Sequence, residues 1–280
     1  MKILISGGSG FFGRAVTNAL GQEQTFQVKP CSHHELDITN LESIRKMVEE
    51  FNPQVIINCA GVTGNANCAK NPELARAVNV DGVANLAAEC QKRDILLVHP
   101  SSVVVFSGIK GDYQENDQPE PQKGNIYAET KFQSEQAVKN SGVDFIMPRM
   151  ATGYGPLNAK DTTNFVGIVV GALKNGEVRK YFRDQLANPV EISDVGKAFG
   201  QLIKANFRGI IHIGGPEIIS MYDFAKIIQK EFGLAGEIGD SSVAGTNYPP
   251  NITLNISLAQ KMNISCKSVS DGVRYCQSLS

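Results

Sequence analysis

The sequence predicts an α/β fold with a doubly wound parallel sheet, followed by a smaller and more irregular C-terminal lobe. Short apolar runs alternate with longer helical patterns through the first 150 residues, which is typical of βαβ units and a parallel sheet. The runs are apolar throughout rather than alternating, as strands covered on both faces require. The first run also leads directly into a glycine-rich loop, "SGGSGFFG".

Five strands are predicted in this first part, with a helix between successive strands. Asn40 stands where it can cap the second helix, whose apolar residues recur at helical spacing. Pro30 and Pro100 are expected to end the second and fourth strands. The predicted strands are 2–6, 25–30, 54–61, 95–102 and 144–149, and the predicted helices are 14–21, 40–52, 73–93 and 127–142.

The alternation loosens after residue 150, and Ser220 is the clearest helix cap in this part. We expect a dinucleotide-binding Rossmann domain over 1–150 and a substrate-binding lobe formed by 151–190 and 216–280. One helix and one strand between those segments are expected to return to the first domain. The predicted elements after residue 150 are helices at 164–176, 192–205 and 220–233, a strand at 209–215 and a loop at 245–253.

The composition is that of a globular protein and excludes several function classes. The 280 residues are 42% hydrophobic and 20% charged, and a net charge of −1 gives no basic field for nucleic acid. No apolar run reaches about 18 residues, and the N-terminal run is too short for a secretion signal. The cysteines lack C-x-x-C spacing and stand apart from the histidines. We therefore expect a cytoplasmic protein with free thiols, no metal site, and no nucleic-acid or membrane partner.

The glycine-rich loop predicts a dinucleotide site. Gly8, Gly10 and Gly13 satisfy G-x-G-x-x-G, and Gly7 with the last two satisfies G-x-x-G-x-x-G. Such a loop needs positive φ angles and a close approach of backbone to pyrophosphate, and the following helix points its free N–H groups at the anion. Because the motif lies between a predicted strand and a predicted helix, it has the context that dinucleotide binding requires.

The segment after the second strand bears on which dinucleotide binds. NAD-binding folds usually place an acid there for the ribose diol, but this chain reads "VKPCSHHELD". Lys29, Ser32, His33 and His34 could accept a 2′-phosphate, which favours NADPH. Glu35 could instead restore binding of NAD, so NAD(H) stays possible.

The segment "NIYAETK" supplies a candidate proton donor. Tyr127 and Lys131 lie four residues apart, on one face of the predicted helix. An ammonium held there can stabilise a phenolate and lower the pKa of the phenol. A phenol tuned in this way can exchange a proton with a substrate carbonyl or alcohol.

Taken in order, these motifs resemble the extended short-chain dehydrogenase/reductase family over nearly the whole chain, and within it the dTDP-4-dehydrorhamnose reductases and their relatives. The stretches that carry the resemblance are "NPELARAVNVDGVANLA", "VHPSSVVVFSG", "IYAETKFQSEQ", "NPVEISDVGKAF" and "HIGGPEIISMYDFA". The resemblance implies that Tyr127 is the general acid/base, that Lys131 holds the nicotinamide ribose, and that Ser102 binds the reacting oxygen. The implied cofactor-binding residues are Gly7, Ser9, Gly10, Phe11, Phe12, Gly13, Ser32, His33, Asp37, Ile38, Ala60, Gly61, Val62, Asn79, Ser101, Tyr127 and Lys131.

The chain also departs from that family's pattern. The rhamnose reductases carry an acid and a tyrosine after the catalytic threonine, where this chain has Val103 and Val104. They also carry a tryptophan after the fifth strand, where this chain has Thr152. The substrate pocket is therefore expected to differ, and its candidate residues are Thr63, Val103, Val104 and Thr152.

The resemblance implies an NAD(P)H-dependent reductase that acts on a keto group of a nucleotide-activated sugar. Two alternatives stay open: an epimerase that retains its NAD, and a non-catalytic regulatory subunit such as the partner of a methionine adenosyltransferase. Many relatives pair the helices that match 73–90 and 127–142 across a dimer interface, so a homodimer is expected.

Overall fold

The computed structural model describes residues 1–157 and 164–280. The chain divides into two compact units. The first comprises Met1–Phe106, Gln118–Arg149 and Gly196–Ile211, and the second comprises Ser107–Asp117, Met150–Val195 and His212–Ser280. The predicted lobe segment 151–190 includes residues 158–163, which lie outside the described residues. Among the helices that are described, none is both long enough and apolar enough to span a membrane.

The strands are short, and seven of the fourteen in the described residues belong to one seven-stranded sheet. In chain order they are β1 (Lys2–Ser6), β2 (Gln27–Cys31), β3 (Val55–Asn58), β4 (Leu96–Val98), β5 (Ser101–Ser102), β6 (Phe145–Met150), β7 (Gly153–Tyr154), β8 (Arg179–Phe182), β9 (Leu186–Ala187), β10 (Val190–Glu191), β11 (Gly209–Ile213), β12 (Ile219–Ser220), β13 (Ile238–Ser241) and β14 (Asn251–Ile252).

The helices lie between these strands. In chain order they are α1 (Phe11–Gly21), α2 (Leu41–Phe51), α3 (Asn65–Lys70), α4 (Pro72–Arg76), α5 (Gly82–Lys92), α6 (Ile126–Asn140), α7 (Phe165–Lys174), α8 (Ile192–Lys204), α9 (Met221–Glu231), α10 (Ser257–Lys261) and α11 (Val269–Ser278). The side chains of Asn40 and Ser220 cap α2 and α9, which confirms both predicted caps.

The large sheet has the strand order β11-β6-β4-β3-β1-β2, with β5 paired to β6. β1 pairs in parallel with both β2 and β3, and β3 to β4 and β4 to β6 are parallel as well. The order reverses between β1 and β3, so a crevice opens beyond the carboxyl ends of these strands. The α/β fold class with a parallel sheet is confirmed.

The second predicted strand does not end at Pro30. β2 continues to Cys31, and Pro30 pairs with Ile5 inside the strand. β2 is the last strand of the sheet path, and a proline without an N–H is tolerated at such an edge.

The helix predicted over 73–93 is not continuous. A π-helical turn, Ala77–Asp81, separates α4 from α5. Such a turn inserts an extra residue into the helix and redirects the side chains that it carries. Helical periodicity alone did not reveal it, because apolar residues continue on both sides of the turn.

One face of the sheet in the first unit packs on α2 and α5. Apolar side chains from all of these elements form one cluster, to which α2 contributes Ile44, Met47 and Val48. Each of these three side chains is less than a tenth exposed. The apolar spacing that predicted the helix is thus the face that α2 buries.

A buried ion pair links α6 to β6 in the first unit. The Arg149 guanidinium donates two hydrogen bonds to Glu135, with Nε 2.9 Å from Oε1 and Nη2 2.8 Å from Oε2. Ser101 donates to Oε1 of the same carboxylate at 2.6 Å, and the guanidinium lies 5.0 Å from the centroid of the Phe106 ring. Arg149 and Glu135 are essentially unexposed. The pair is therefore bidentate and fully desolvated.

The second unit has its own core and several small sheets. β9 lies between β12 and β14, β7 pairs with β10, and β8 pairs with β13. The ring of Phe165 stacks on Phe224 at a centroid distance of 4.8 Å, and Tyr154 meets Phe224 edge-on at 5.0 Å. Lys267 bonds to the buried carboxylates of Glu191 and Asp194, at 3.1 Å and 2.6 Å.

We expect Arg149→Met to reduce the free energy of unfolding by about 3–5 kcal/mol, since it leaves the buried Glu135 carboxylate with the more distant Lys139 ammonium, at 3.5 Å, as its counter-charge. Urea denaturation followed by circular dichroism measures the change. The exposed pair of Arg208 and Asp144 supplies the control, and Arg208→Met should cost less than about 1 kcal/mol. Equal, small losses in the two variants would contradict a structural role for the buried pair.

Candidate active site

The glycine loop between β1 and α1 is shaped by contacts that exclude side chains at three positions. A Cβ on Gly7 would lie 2.6 Å from the Ala60 nitrogen, and Gly7 also has φ of +66°. A Cβ on Gly13 would lie 2.1 Å from the Gly7 carbonyl oxygen, and one on Gly8 would lie 2.6 Å from Cβ of Pro30. These glycines are needed for the loop itself.

Gly10 differs from the other glycines of the loop. A Cβ there would meet only the Gly7 carbonyl oxygen, at 3.3 Å. The protein's own packing therefore does not demand a glycine at this position. Close approach of a pyrophosphate would demand it, so the loop fits a dinucleotide.

The N-terminus of α1 points its backbone donors at the same place. Gly10 is the N-cap and supplies no side-chain acceptor for the first N–H groups of the helix. Phe11 begins the helix, and the Phe12 ring packs edge-on against Phe199 at a centroid distance of 6.0 Å. The uncapped amides of an 11-residue helix are suited to hold an anion.

A groove of about 460 Å³ runs along the loop on the first unit. It has an apolar floor, formed where β1 and β3 end. The predicted cofactor residues that line it are Gly7, Ser9, Gly10, His33, Asp37, Ile38, Ala60, Gly61 and Val62. Leu36, Thr39, Cys59, Leu74 and Val78 also line it and were not predicted. Leu74 is half exposed although it lies in the predicted helix 73–93, and the sequence carries no signal of that exposure.

Asn79 holds the backbone of Val62, one of the residues that line this groove. It lies in the π-helical turn and is buried. Its amide oxygen accepts from the Val62 nitrogen at 2.8 Å, and its amide nitrogen donates to the Val62 oxygen at 2.9 Å and to the Thr130 hydroxyl at 3.1 Å. The side chain predicted to contact the cofactor is thus engaged with the loop after β3 and with α6.

Tyr127 and Lys131 lie in the first two turns of α6. Asn125 caps the helix by accepting from the Ala128 nitrogen. The Lys131 ammonium donates to the Pro100 carbonyl oxygen at 2.7 Å. Lys131 also interacts electrostatically with Cys59, a residue of the groove floor. Lys131 therefore lies close to a residue that lines the groove, and Tyr127 lies one turn earlier on α6.

The pKa of Tyr127 does not follow the expectation that the Lys131 ammonium would lower it. Burial raises the pKa of Tyr127 to about 12, and the nearby Cys68 thiol adds to the rise. Burial also lowers the pKa of Lys131 to about 8, while Glu135 and Cys59 act in the opposite direction. Loss of water contact, rather than attraction to the ammonium, sets the phenol in this state. Tyr127 is therefore fully protonated at neutral pH.

Ser102 caps the short 3₁₀ turn Val103–Val105. Its hydroxyl accepts from the Val104 nitrogen at 3.4 Å, which is a long and weak hydrogen bond. The Ser102 hydroxyl can therefore exchange this hydrogen bond for one to a ligand. The Ser101 hydroxyl, also predicted to bind cofactor, is instead buried and donates to Glu135 at 2.6 Å.

Sequence reasoning missed a buried chain of polar side chains behind Lys131. Ser6 donates to the Asn58 amide oxygen at 2.7 Å, and the Asn58 amide nitrogen lies 3.4 Å from His99 Nδ1. His99 Nε2 lies 3.0 Å from the Ser134 hydroxyl, which donates to the Lys131 carbonyl oxygen at 2.7 Å. Burial and the Lys131 charge hold the pKa of His99 well below its usual value, so the ring is neutral.

The remaining substrate candidates belong to different elements of the two units. The Thr63 carbonyl oxygen accepts from Asn67, just before α3. Val103 is buried and Val104 partly exposed in the 3₁₀ turn. Thr152 belongs to the second unit, where its carbonyl oxygen accepts from the Val190 nitrogen at 2.9 Å.

The predicted phosphate-binding residues in and after β2 do not all line the groove. The Lys29 ammonium lies 5.6 Å from the centroid of the Phe51 ring. His33 lines the groove, and its ring lies 4.7 Å from the ring of His34. Among the described residues, Lys29 is therefore directed to α2, and His33 alone of the predicted set lines the groove.

Comparison with known proteins places the chain in a family of reductases and related proteins. It is 30% identical to the probable low-salt glycan biosynthesis reductase Agl14 of Haloferax volcanii, covering 87% of this chain and 84% of that protein. It is 25% identical to the methionine adenosyltransferase 2 subunit beta of Bos taurus, covering 94% of this chain and 83% of that protein.

A solved structure gives the same result. The dTDP-4-dehydrorhamnose reductase of Bacillus anthracis, determined in complex with NADP, matches with a TM-score of 0.88 and 26% identity, covering 98% of this chain and 96% of that one. The family described as the RmlD substrate binding domain matches residues 1–253. The chain therefore belongs to the RmlD substrate binding domain family.

Proposed function

We propose that the protein reduces a keto group on a nucleotide-activated sugar with a nicotinamide cofactor. The observation that supports the proposal is the position of Lys131, whose charge acts on Cys59 in the lining of the groove, with Tyr127 one turn earlier on α6. The similarity to a glycan biosynthesis reductase and to a dTDP-4-dehydrorhamnose reductase supports the reaction class.

Each residue of the site has a role that its surroundings support. A bound nicotinamide supplies the hydride for the carbonyl carbon. Tyr127, protonated at neutral pH, gives its proton to the carbonyl oxygen, and Lys131 stabilises the phenolate that this leaves. Ser102, whose hydroxyl makes only a weak hydrogen bond, donates to the same oxygen as negative charge develops there.

The cofactor proposal is NADP(H), with NAD(H) possible. The relative from Bacillus anthracis was solved with NADP, which supports the first. The glycine loop and the uncapped amides of α1 would hold the pyrophosphate, while Asp37 and Ile38 would line the adenosine side of the groove. The protein is further proposed to be a cytoplasmic homodimer.

A non-catalytic regulatory role is the second candidate. The similarity to a methionine adenosyltransferase subunit extends over 94% of the chain and favours it. Retention of Tyr127, Lys131 and Ser102 favours the reductase. An epimerase is the third candidate, and it would retain its cofactor through purification, so nicotinamide absorbance in fresh protein distinguishes it.

Tyr127→Phe should lower kcat by about 10²–10⁴, because it removes the proton donor and little else. Cofactor affinity should stay unchanged, since the phenyl ring keeps the shape of the groove. Steady-state kinetics with a keto sugar nucleotide and a cofactor titration measure the two effects. Tyr248→Phe, at an exposed tyrosine of the second unit, is the matched control and should behave as the parent. Full turnover by Tyr127→Phe would favour the regulatory candidate.

The dependence of kcat/KM on pH should follow the ionisation of the Lys131 side chain. Its pKa of about 8 means that the ammonium is present below that pH and is lost above it. We therefore expect kcat/KM to be constant near neutral pH and to fall as the pH rises through about 8. Lys131→Arg, whose side chain stays charged, should abolish this fall while lowering activity at all pH values. Persistence of the same alkaline fall in Lys131→Arg would assign it to another group.

Gly10→Val should abolish cofactor binding without unfolding the protein, because a Cβ at this position would meet only the Gly7 carbonyl oxygen, at 3.3 Å, while the branched side chain would obstruct the proposed approach of the pyrophosphate. Isothermal titration with NADPH, together with circular dichroism, measures both properties. Gly21→Val is the control, since a Cβ at the end of α1 meets nothing within 4 Å. Unchanged NADPH affinity in Gly10→Val would mean that the loop is only a turn.

A further inference from the structure

The buried polar chain behind Lys131 begins at a backbone N–H of the groove lining. The Ala60 nitrogen donates to the Asn58 amide oxygen at 3.2 Å, and Ser6 donates to the same oxygen at 2.7 Å. Ala60 lines the groove, and Ser6 directly precedes the glycine loop. Because a backbone N–H can only donate, the atom that it meets must be the amide oxygen of Asn58. The amide nitrogen of Asn58 therefore faces the other way, toward His99.

This orientation of Asn58 selects one tautomer of His99. The Asn58 amide nitrogen lies 3.4 Å from Nδ1 of the ring, and since an amide nitrogen can only donate, Nδ1 must carry the lone pair. The proton of the neutral ring is then on Nε2, which lies 3.0 Å from the Ser134 hydroxyl oxygen and donates to it. The Ser134 proton is left for the Lys131 carbonyl oxygen, at 2.7 Å. Every proton of the chain thus points from the groove toward α6.

Two adjacent residues that follow β4 hold Lys131 at both ends. His99 is linked through Ser134 to the Lys131 carbonyl oxygen, and the Pro100 carbonyl oxygen accepts from the ammonium at 2.7 Å. His99 is itself anchored to the sheet, because its backbone nitrogen donates to the Ile146 oxygen of β6 at 2.9 Å. His99 and Ser134 are 1% and 0% exposed, so water does not compete for their hydrogen bond. A shift of this turn of α6 would therefore break a buried hydrogen bond as well as move the ammonium.

We propose that His99 is a positioning residue for Lys131: as the neutral Nε2–H tautomer, it holds the turn of α6 that carries Lys131 in register with the end of β4. The ring exchanges no proton with the substrate. It acts through Ser134 on the position of the Lys131 ammonium, which in the proposed reduction stabilises the Tyr127 phenolate. The inference rests on the proposed function.

The tautomer of His99 can be measured without a substrate. Nitrogen NMR of protein labelled at its histidines distinguishes a protonated ring nitrogen from one with a lone pair, and His99→Gln identifies the signal among the four histidines. We expect the proton on Nε2 and a ring that stays neutral through the usual titration range, because burial and the Lys131 charge hold the pKa of His99 well below its usual value. A proton on Nδ1, or a ring that titrates in the usual range, would overturn the proposal.

Ser134→Ala and His99→Leu each remove the link between the ring and α6. Either should lower kcat for a keto sugar nucleotide by about 10–10²-fold, since a small displacement of a catalytic group has an effect of this size. His99→Gln should recover most of the lost rate, because the glutamine amide can again donate to Ser134 and accept from Asn58.

Ser141→Ala is the matched control for Ser134→Ala. The Ser141 hydroxyl also donates to the carbonyl oxygen three residues earlier, at 2.7 Å, but it does so at the C-terminal end of α6. This variant should keep kcat within about twofold of the parent value, because the same local hydrogen bond is lost far from Lys131.

A double-mutant cycle separates positioning from a general loss of structure. If Ser134 acts through Lys131, Ser134→Ala should lower kcat by less than about twofold in a Lys131→Met background, because the group that it positions is already gone. A merely structural role would cost the same factor in both backgrounds. Ser134→Ala also carries the test if His99→Leu does not fold, because alanine is favoured within a helix.

Equal losses in the two backgrounds, or an unchanged kcat in Ser134→Ala, would overturn the role of His99 and leave the proposed function intact. A parent protein that reduces no keto sugar nucleotide would reject the proposed function and this role together.

Discussion

The buried ion pair between Glu135 and Arg149 is the constraint on which the site depends. It joins α6, which carries Tyr127 and Lys131, to the end of β6, and through Ser101 it reaches the residue next to Ser102. Two desolvated charges are costly, and that cost is offset only when the geometry is good and the remaining lone pairs are bonded. The pair therefore fixes the register of α6 against the sheet, which an apolar contact would leave freer to slide.

Desolvation also governs the chemistry at this helix. Burial moves the pKa of Tyr127 up and the pKa of Lys131 down, so each of the two groups is displaced toward its neutral form. A phenol that holds its proton is suited to donate it during reduction. A lysine of pKa about 8 is still mostly charged at neutral pH, so it can donate to the Pro100 carbonyl oxygen there. The spacing of Tyr127 and Lys131 identified the two residues. Their pKa values depend on burial, which the sequence does not display.

Patterns among neighbouring residues predicted those features of the structure that depend on neighbouring residues. The glycine loop, the caps at Asn40 and Ser220, and the Tyr127–Lys131 spacing are encoded in a few neighbouring residues, and the parallel sheet follows from the alternation of apolar runs. The π-helical turn around Asn79 and the polar chain through His99 depend on residues that are far apart in sequence. An isolated histidine or asparagine in a sequence gives no sign of such partners, so these features became visible only in three dimensions.

The proline in β2 has a consequence for association between molecules. The Gln27 nitrogen donates to the Met1 carbonyl oxygen, and the Cys31 carbonyl oxygen accepts from the Gly8 nitrogen, so the backbone groups of both residues face β1. Successive residues of a strand direct these groups to opposite sides, so the Pro30 nitrogen lies on the outer side of this last strand. A foreign strand that tried to extend the sheet there would find no N–H at Pro30, the fourth of the five residues of β2, and the neighbouring Lys29 adds a charge. Both are devices by which natural sheets resist edge-to-edge aggregation. The residue that misled the prediction of where β2 ends thus keeps the sheet from growing beyond this chain.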